Sequence, residues 1–410
     1  MDLIPLHKRV VALDVHQAVI TTCAIIADDN GVRIEERSFE TFKRGLRALA
    51  DWCLQIAPEV VVMESTGIYW KSPHAWLERA GLKCIVVNAH HVKNVPGRKT
   101  DIADPRWMAM LARAGLLKPS FVPPEKLRRL RLVSRQRQKL VGMLAAEKNR
   151  LGKVLADAGV RLGVVVSDLN GKSARAMIAA LIAGASPEQA LTLAGNRLKA
   201  PREDIAAALE GDITLEHRFV MRTILGHIDY LEASIRDFDA HLVAGLDSPE
   251  EKNALVLLQT IPGIDLIGAA MLLVEIGTTM SLFAGPAHLA SWAGVCPGNN
   301  RSAGKRKRER QRKGNTYVRR LLCEFVQAAR KTQSMFRAKH KALAITKGFK
   351  RAIMACARKM LRIIWAMLMR NEPYRDATVD YEALSVRRNA PRWIRALKRY
   401  GYMPAGAATR

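Results

Sequence analysis

Cysteine is scarce and unpaired in this chain of 410 residues: Cys23, Cys53, Cys84, Cys296, Cys323 and Cys356 lie far apart and form no C-x-x-C pair. That spacing argues against a structural zinc site or a disulfide framework, so the six read as small apolar side chains. No run of about 18 apolar residues occurs, which leaves no candidate for a membrane-spanning helix. The first residues also lack a compact apolar segment followed by a small-residue cleavage site, so the expected location is the cytoplasm. No zinc-finger or RNA-recognition sequence is present to read bases. Acids are in short supply as well: 38 Asp and Glu against 66 Lys and Arg leave a net charge of +28. An excess of that size points to a nucleic-acid partner, with an anionic membrane surface as the competing explanation.

Against that basic background, four acids near the start stand out. Asp14 ends the apolar run Val10-Val11-Ala12-Leu13, and Glu64 ends Val60-Val61-Val62-Met63, so each is delivered by what reads as a buried strand. Asp101 and Asp104 follow, three residues apart, and share a face if they lie on one helix. Asp104-Pro105 is equally a helix start, with Asp as cap and Pro at the first helical position, which would leave Asp101 in the preceding loop. Clustered acids repel one another unless a cation holds them, and hard oxygen donors in a basic protein suggest Mg²⁺ or Mn²⁺ acting on phosphate. Strands over Val10–Val15, Val19–Ile26 and Val32–Phe39 form a meander. A helix at Phe42–Ile56, a strand at Val60–Glu64, a helix at Trp70–Ala80 and a strand at Cys84–Asn88 follow. This order matches a ribonuclease-H-like α/β sheet.

Beyond residue 118 the pattern turns all-α. Glu125–Ala158 reads as a long basic amphipathic helix carrying Arg128, Arg129 and Arg131. Leu215–Leu242 carries Ile224, Ile228, Leu231, Ile235 and Phe238 in heptad steps, a coiled-coil seam for a second subunit or for a bundle within the chain. Ile261-Pro262-Gly263-Ile264 resembles a helix-hairpin-helix turn, although Asp265 would repel the phosphate that such turns hold. In the stretch from Leu289 an apolar helix gives way to a turn-rich loop through Ser302 and then to Lys305, Arg306, Lys307 and Arg308. On chemistry alone, Ser302 is an ordinary turn serine.

Together, Ala12-Leu13-Asp14-Val15, Glu64-Ser65-Thr66-Gly67-Ile68-Tyr69, Lys99-Thr100-Asp101-Ile102-Ala103-Asp104, the Ile261–Ile264 turn, and Ala293-Gly294-Val295-Cys296-Pro297 leading to Arg301-Ser302-Ala303-Gly304 occur in one order. The chain resembles DEDD-type insertion-sequence transposases of the bridge-RNA-guided group. The resemblance implies a resolvase-like, ribonuclease-H-type metal domain over residues 1–118, a helical coiled-coil region over 119–250, a C-terminal serine transposase domain over 251–372 and a basic extension over 373–410. It implies that Asp14, Glu64, Asp101 and Asp104 bind divalent metal, two Mg²⁺ or Mn²⁺ per site, and that Ser302 attacks DNA. Donor and target DNA, a bridge RNA and a homodimer or homotetramer are the implied partners. Lys99, Arg128, Arg129, Arg131, Arg301, Lys305, Arg306, Lys307 and Arg308 are the expected nucleic-acid contacts. A metal-dependent, structure-specific nuclease with the same four acids, and a non-catalytic nucleic-acid scaffold, are the alternatives. The tail, with Trp393, Tyr400 and Tyr402 among arginines, reads as a partly ordered extension.

Overall fold

Val10, Val11, Ala12 and Leu13 are all fully buried, as expected of β-branched and apolar residues in a strand covered on both faces. They form the centre of β1 (Arg9–Val15) in the computed structural model, which describes residues 5–29, 31–65, 67–89, 92, 104–297, 301–302, 305–306, 314–376 and 381–403. β1 pairs antiparallel with β2 (Val19–Asp28), and β2 with β3 (Gly31–Glu40). On its other side β1 pairs parallel with β4 (Val60–Glu64), and β4 with β5 (Cys84–Val87), giving the order β3-β2-β1-β4-β5. The outer strand β3 carries Arg33, Glu35, Glu36 and Arg37, charges that blunt an open edge.

Alternation along the strands sorts two cores. Val11, Leu13, Val61 and Met63 pack with Leu46, Leu49, Trp52 and Leu77 of α1 (Lys43–Ile56) and α2 (Lys71–Arg79). Val10, Ala12, Val60 and Val62 pack with Trp107, Met108 and Leu111 of α3 (Asp104–Arg113) on the opposite face. These elements belong to the first of two compact units, Met1–Glu125; the second is Lys126–Arg410.

Among the described residues the second unit is helical apart from one short ribbon. Its long helices are α4 (Glu125–Asp157) and, after the shorter α5 (Leu162–Val165), α6 (Lys172–Ala183), α7 (Pro187–Leu191) and α8 (Arg202–Leu209), α9 (Leu215–Ala244). Pairing of Arg137 with Asp239 at 2.6 Å and of Lys148 with Glu232 at 3.2 Å makes α4 and α9 antiparallel. The heptad seam is buried inside the chain: Leu231 and Ile235 cluster with Leu140, and Ile224 and Ile228 join the core of Leu151 and Leu155. Of the two readings of that seam, the bundle within the chain is the one found.

Next come α10 (Pro249–Gln259), α11 (Leu266–Ile276), α12 (Pro286–Trp292), α13 (Thr316–Ala329), α14 (Met335–Lys347), α15 (Phe349–Arg370) and α16 (Tyr381–Arg399). The first residues beyond Arg370 dock on the helical unit. Tyr374 stacks on Phe336 with ring centroids 6.1 Å apart, and Asp376 accepts from the Met335 backbone N–H at 3.1 Å, which satisfies the start of α14. Among the described residues no helix is long and apolar enough to cross a membrane.

Candidate active site

The β1–β4 register runs Val10 opposite Val60 through Leu13 opposite Met63. One step further, Asp14 and Glu64 are neighbours on adjacent strands. Both share the parity of Val10, Ala12, Val60 and Val62, and so lie on the face that α3 covers. The direction of α3 follows from its far end. Leu6 and His7, just before β1, donate to the Arg113 carbonyl at 2.8 and 3.2 Å, so the helix ends where β1 starts. Asp104, its first residue, therefore returns toward the strand ends that carry Asp14 and Glu64. Ten helical residues rise about 15 Å, roughly two-thirds of the ~23 Å that the seven residues of β1 span.

Asp14 Oδ2 also meets His16 Nε2 at 3.1 Å. Sequence reasoning passed over His16, which lies just past the end of β1 and two residues beyond the acid. After Glu64 the chain turns through Gly67 at φ 55°, the left-handed region that favours glycine, and leaves Ile68 68% and Tyr69 41% exposed beside the acids. Asp101 and Lys99 lie outside the described residues. Among the described residues no group of three His, Cys, Asp or Glu side chains could hold a metal ion. What they supply is the Asp14–Glu64 pair, with Asp104 on the returning helix. Mg²⁺ is commonly held by one or two carboxylates with waters and substrate phosphate, so the Asp14–Glu64 pair fits it.

Ser302 lies in a two-stranded ribbon, β6 (Arg301–Ser302) with β7 (Lys305–Arg306), in which Arg301 faces Arg306 and Ser302 faces Lys305 in register. Lys307 and Arg308 lie outside the described residues. The segment leaves the helical core after α12 and rejoins it at α13, and its two ends touch. The Asn315 N–H donates to the Trp292 carbonyl at 3.2 Å, and a Cβ on Gly314 would lie 2.6 Å from Gly294 Cα.

Beneath this stem is a carboxylate with no exposure, Glu275 of α11. Arg135 donates to it through Nε and Nη2 at 2.8 and 2.9 Å, and Asn315 Nδ2 donates at 2.7 Å. Asn315 Oδ1 in turn accepts from the backbone N–H groups of Tyr317 and Val318, capping α13. Burial pushes the Glu275 carboxyl up, but the Arg135 hydrogen bond and the charges of Arg131 and Arg135 outweigh it and hold it below the usual range.

Arg131, expected to meet nucleic acid, is turned inward. Its guanidinium donates to the carbonyls of Val274 and Glu275, and burial pushes its pKa down to about 10. The reason is geometric: Arg131 and Arg135, one helical turn apart, share the face of α4 that meets Glu275. Arg129 is exposed and Arg128 half-buried. The hairpin turn is also occupied from within. Gly263 has φ 88°, a Cβ there would lie 2.6 Å from the Phe325 carbonyl, and Asp265 itself accepts the Gly268 N–H at 2.7 Å.

Residues 11–159 match the DEDD, IS110-type model described as Transposase, and residues 255–341 match the model described as Transposase IS116/IS110/IS902 family. The first span holds Asp14, Glu64, Asp101 and Asp104; the second holds Glu275, Ser302 and Asn315. No curated protein matches the chain. Among solved structures, Thermus thermophilus RuvC is similar at 14% identity and a TM-score of 0.22, over 27% of this chain and 99% of that one. With both matches in sequence order, the chain carries transposase domains of the IS110 family.

Proposed function

We propose that the chain is a DNA transposase that cuts and rejoins DNA through Ser302, with Asp14, Glu64, Asp101 and Asp104 as the donors of a divalent-metal site and a bridge RNA as its guide. What supports this reading is the pairing of Asp14 and Glu64 on adjacent strands, with Asp104 opening the helix that runs back toward their end. A pair of Mg²⁺ or Mn²⁺ ions bound there supplies Lewis-acid polarisation of a phosphodiester and charge for the departing oxygen. Asp14 and Glu64 orient the site from rigid strands, and His16 steadies the Asp14 carboxylate.

Ser302 Oγ bonds to phosphorus as one bridging P–O bond breaks, and the serine proton passes to the released oxygen. The resulting phosphoserine ester keeps the bond energy, so the hydroxyl of a second strand displaces Oγ and restores the phosphodiester. Arg301, Lys305, Arg306, Lys307 and Arg308, with Lys99, Arg128 and Arg129, neutralise nucleic-acid backbone. The net charge of +28 and the lack of a base-reading motif support a guide that reads sequence by pairing. On this reading residues 1–118 form the metal domain, 119–250 the helical linker, 251–372 the serine domain and 373–410 a basic extension, and the active form is a homodimer or homotetramer.

Ser302→Ala is expected to abolish both strand cleavage and the covalent protein–DNA adduct. A variant that goes on cutting makes the chain a metal-dependent nuclease instead. For the guide, the protein is purified from cells carrying its native flanking DNA and the co-purifying small RNA is sequenced. Lack of a flank-derived transcript would favour a protein-only reader.

A further inference from the structure

A segment carrying seven cations between Lys305 and Lys313 tends to repel itself, so something must fix the stance of its serine. The stem ties the two ends of the segment to each other through Asn315 and Trp292 and through the close approach of Gly314 to Gly294. A further link to the helical body runs through the side chain of Asn315. Asn315 spends its carbonyl oxygen on the first turn of α13, its N–H on Trp292 and its amide nitrogen on Glu275. Glu275 accepts from Arg135 of α4 on both oxygens and from that amide on Oε2, and the Arg135 guanidinium lies 4.4 Å from the Tyr317 ring centroid.

We propose that Glu275 and Asn315 are positioning residues for Ser302, a buried bolt that sets the serine ribbon against α4, α11 and α13. This rests on Ser302 being the nucleophile. Neither residue touches DNA on this view; both act through the stem. Nucleophilic displacement is sensitive to such placement, since a shift of about 1 Å costs on the order of 100-fold in rate.

The test is Asn315→Asp in the full chain. Asp caps a helix about as well as Asn, so the start of α13 is kept, while the amide donor becomes an oxygen facing the Glu275 carboxylate. Cleavage of the element's own flanking DNA, with any RNA that co-purifies, is followed at saturating protein, together with DNA affinity and folded fraction. The expected result is cleavage slowed by about 10- to 100-fold with affinity and folded fraction unchanged. Adding Glu275→Gln, whose amide donates to the carboxylate introduced by N315D, should recover most of that rate.

Parental cleavage in N315D overturns the proposal, as does a loss that only tracks the folded fraction or the affinity. If N315D does not fold, Asn315→Ser keeps a capping oxygen without the amide and serves the same comparison. S302A runs alongside. If S302A still forms the adduct, the nucleophile reading falls and takes this proposal with it. If S302A is dead while N315D is normal, only the positioning role falls.

Discussion

Replacing Asp14 by Asn should have opposite effects on the protein with and without divalent cation. Asp14 and Glu64 sit on one face of adjacent strands, which are about 4.8 Å apart. Two carboxylates about 5–7 Å apart repel by about 0.6–3 kcal/mol between effective dielectrics of 80 and 20. The Asp14 side chain keeps 22% exposure and meets His16 at 3.1 Å, and both screen the pair, so about 1 kcal/mol of that repulsion is expected to remain. The amide of D14N keeps an oxygen for His16, so little is lost there. In chelator, D14N should therefore be the more stable protein, by about 1 kcal/mol, or roughly five-fold slower opening.

With cation the order reverses. An ion at 100 times its dissociation constant stabilises by about 2.7 kcal/mol, close to 100-fold in opening. Hydrogen exchange of peptides covering Arg9–Val15 and Val60–Glu64 reads this locally, without the second unit contributing. The parent should gain about 100-fold protection in saturating Mg²⁺ or Mn²⁺, and D14N less than about ten-fold. With a net charge of +28, general attraction of cations is not a competing source of the effect, and matched sodium controls for ionic strength. The reasoning is refuted if the parent shows no protection by either metal, or if D14N is protected as strongly as the parent.

Other substitutions test the helical unit. Gly263→Ala should destabilise it by about 2 kcal/mol or more, read by urea unfolding, because φ is 88° and the new Cβ meets the Phe325 carbonyl and Ala329 N–H at 2.6 Å. Glu275→Ala should cost about 3–5 kcal/mol, since it leaves Arg131 and Arg135 buried without their carboxylate; loss below 1 kcal/mol would contradict the bolt. Because the folded Glu275 carboxyl is held below its ordinary value, its contribution is present above the unfolded carboxylate range and is lost as pH falls through the folded pKa. Stability measured against pH should therefore show an acid limb that Glu275→Gln flattens. Burial pushes the Cys53 thiol up to about 12, so iodoacetamide at mildly alkaline pH should leave Cys53 unmodified in the folded chain and label it in urea.

Most of the first unit was legible because its signals are local. Val10–Leu13 and Val60–Met63 are apolar runs, and an acid follows each directly, Asp14 in β1 and Glu64 at the end of β4. Sheet order then needed only the meander followed by alternating helices and strands. The side on which Asp104 arrives was not legible. It depends on Leu6 and His7 meeting Arg113, a contact across more than a hundred residues. The heptad seam of α9 showed which residues were buried but not against what, since a seam looks the same whether α4 or another subunit fills it. The docking of the tail likewise rests on Tyr374 and Asp376, two residues with no periodicity to announce them.

Glu275 is the instructive miss, because its signal was in plain sight. It is the one ionisable residue in Leu266–Ile276, a helix otherwise composed of apolar residues and glycine. An acid there is either exposed on a helix that has nothing else to expose, or buried and paired. The second case demands a cation from elsewhere in the chain. Two arginines one turn apart on an amphipathic helix, Arg131 and Arg135, are the kind of pair that can meet it. Reading Arg128, Arg129 and Arg131 as nucleic-acid contacts gave Arg131 to solvent when the apolar helix required it inside. In a chain this basic, a buried acid reveals more than an exposed cation, because each such acid fixes the place of the cations around it.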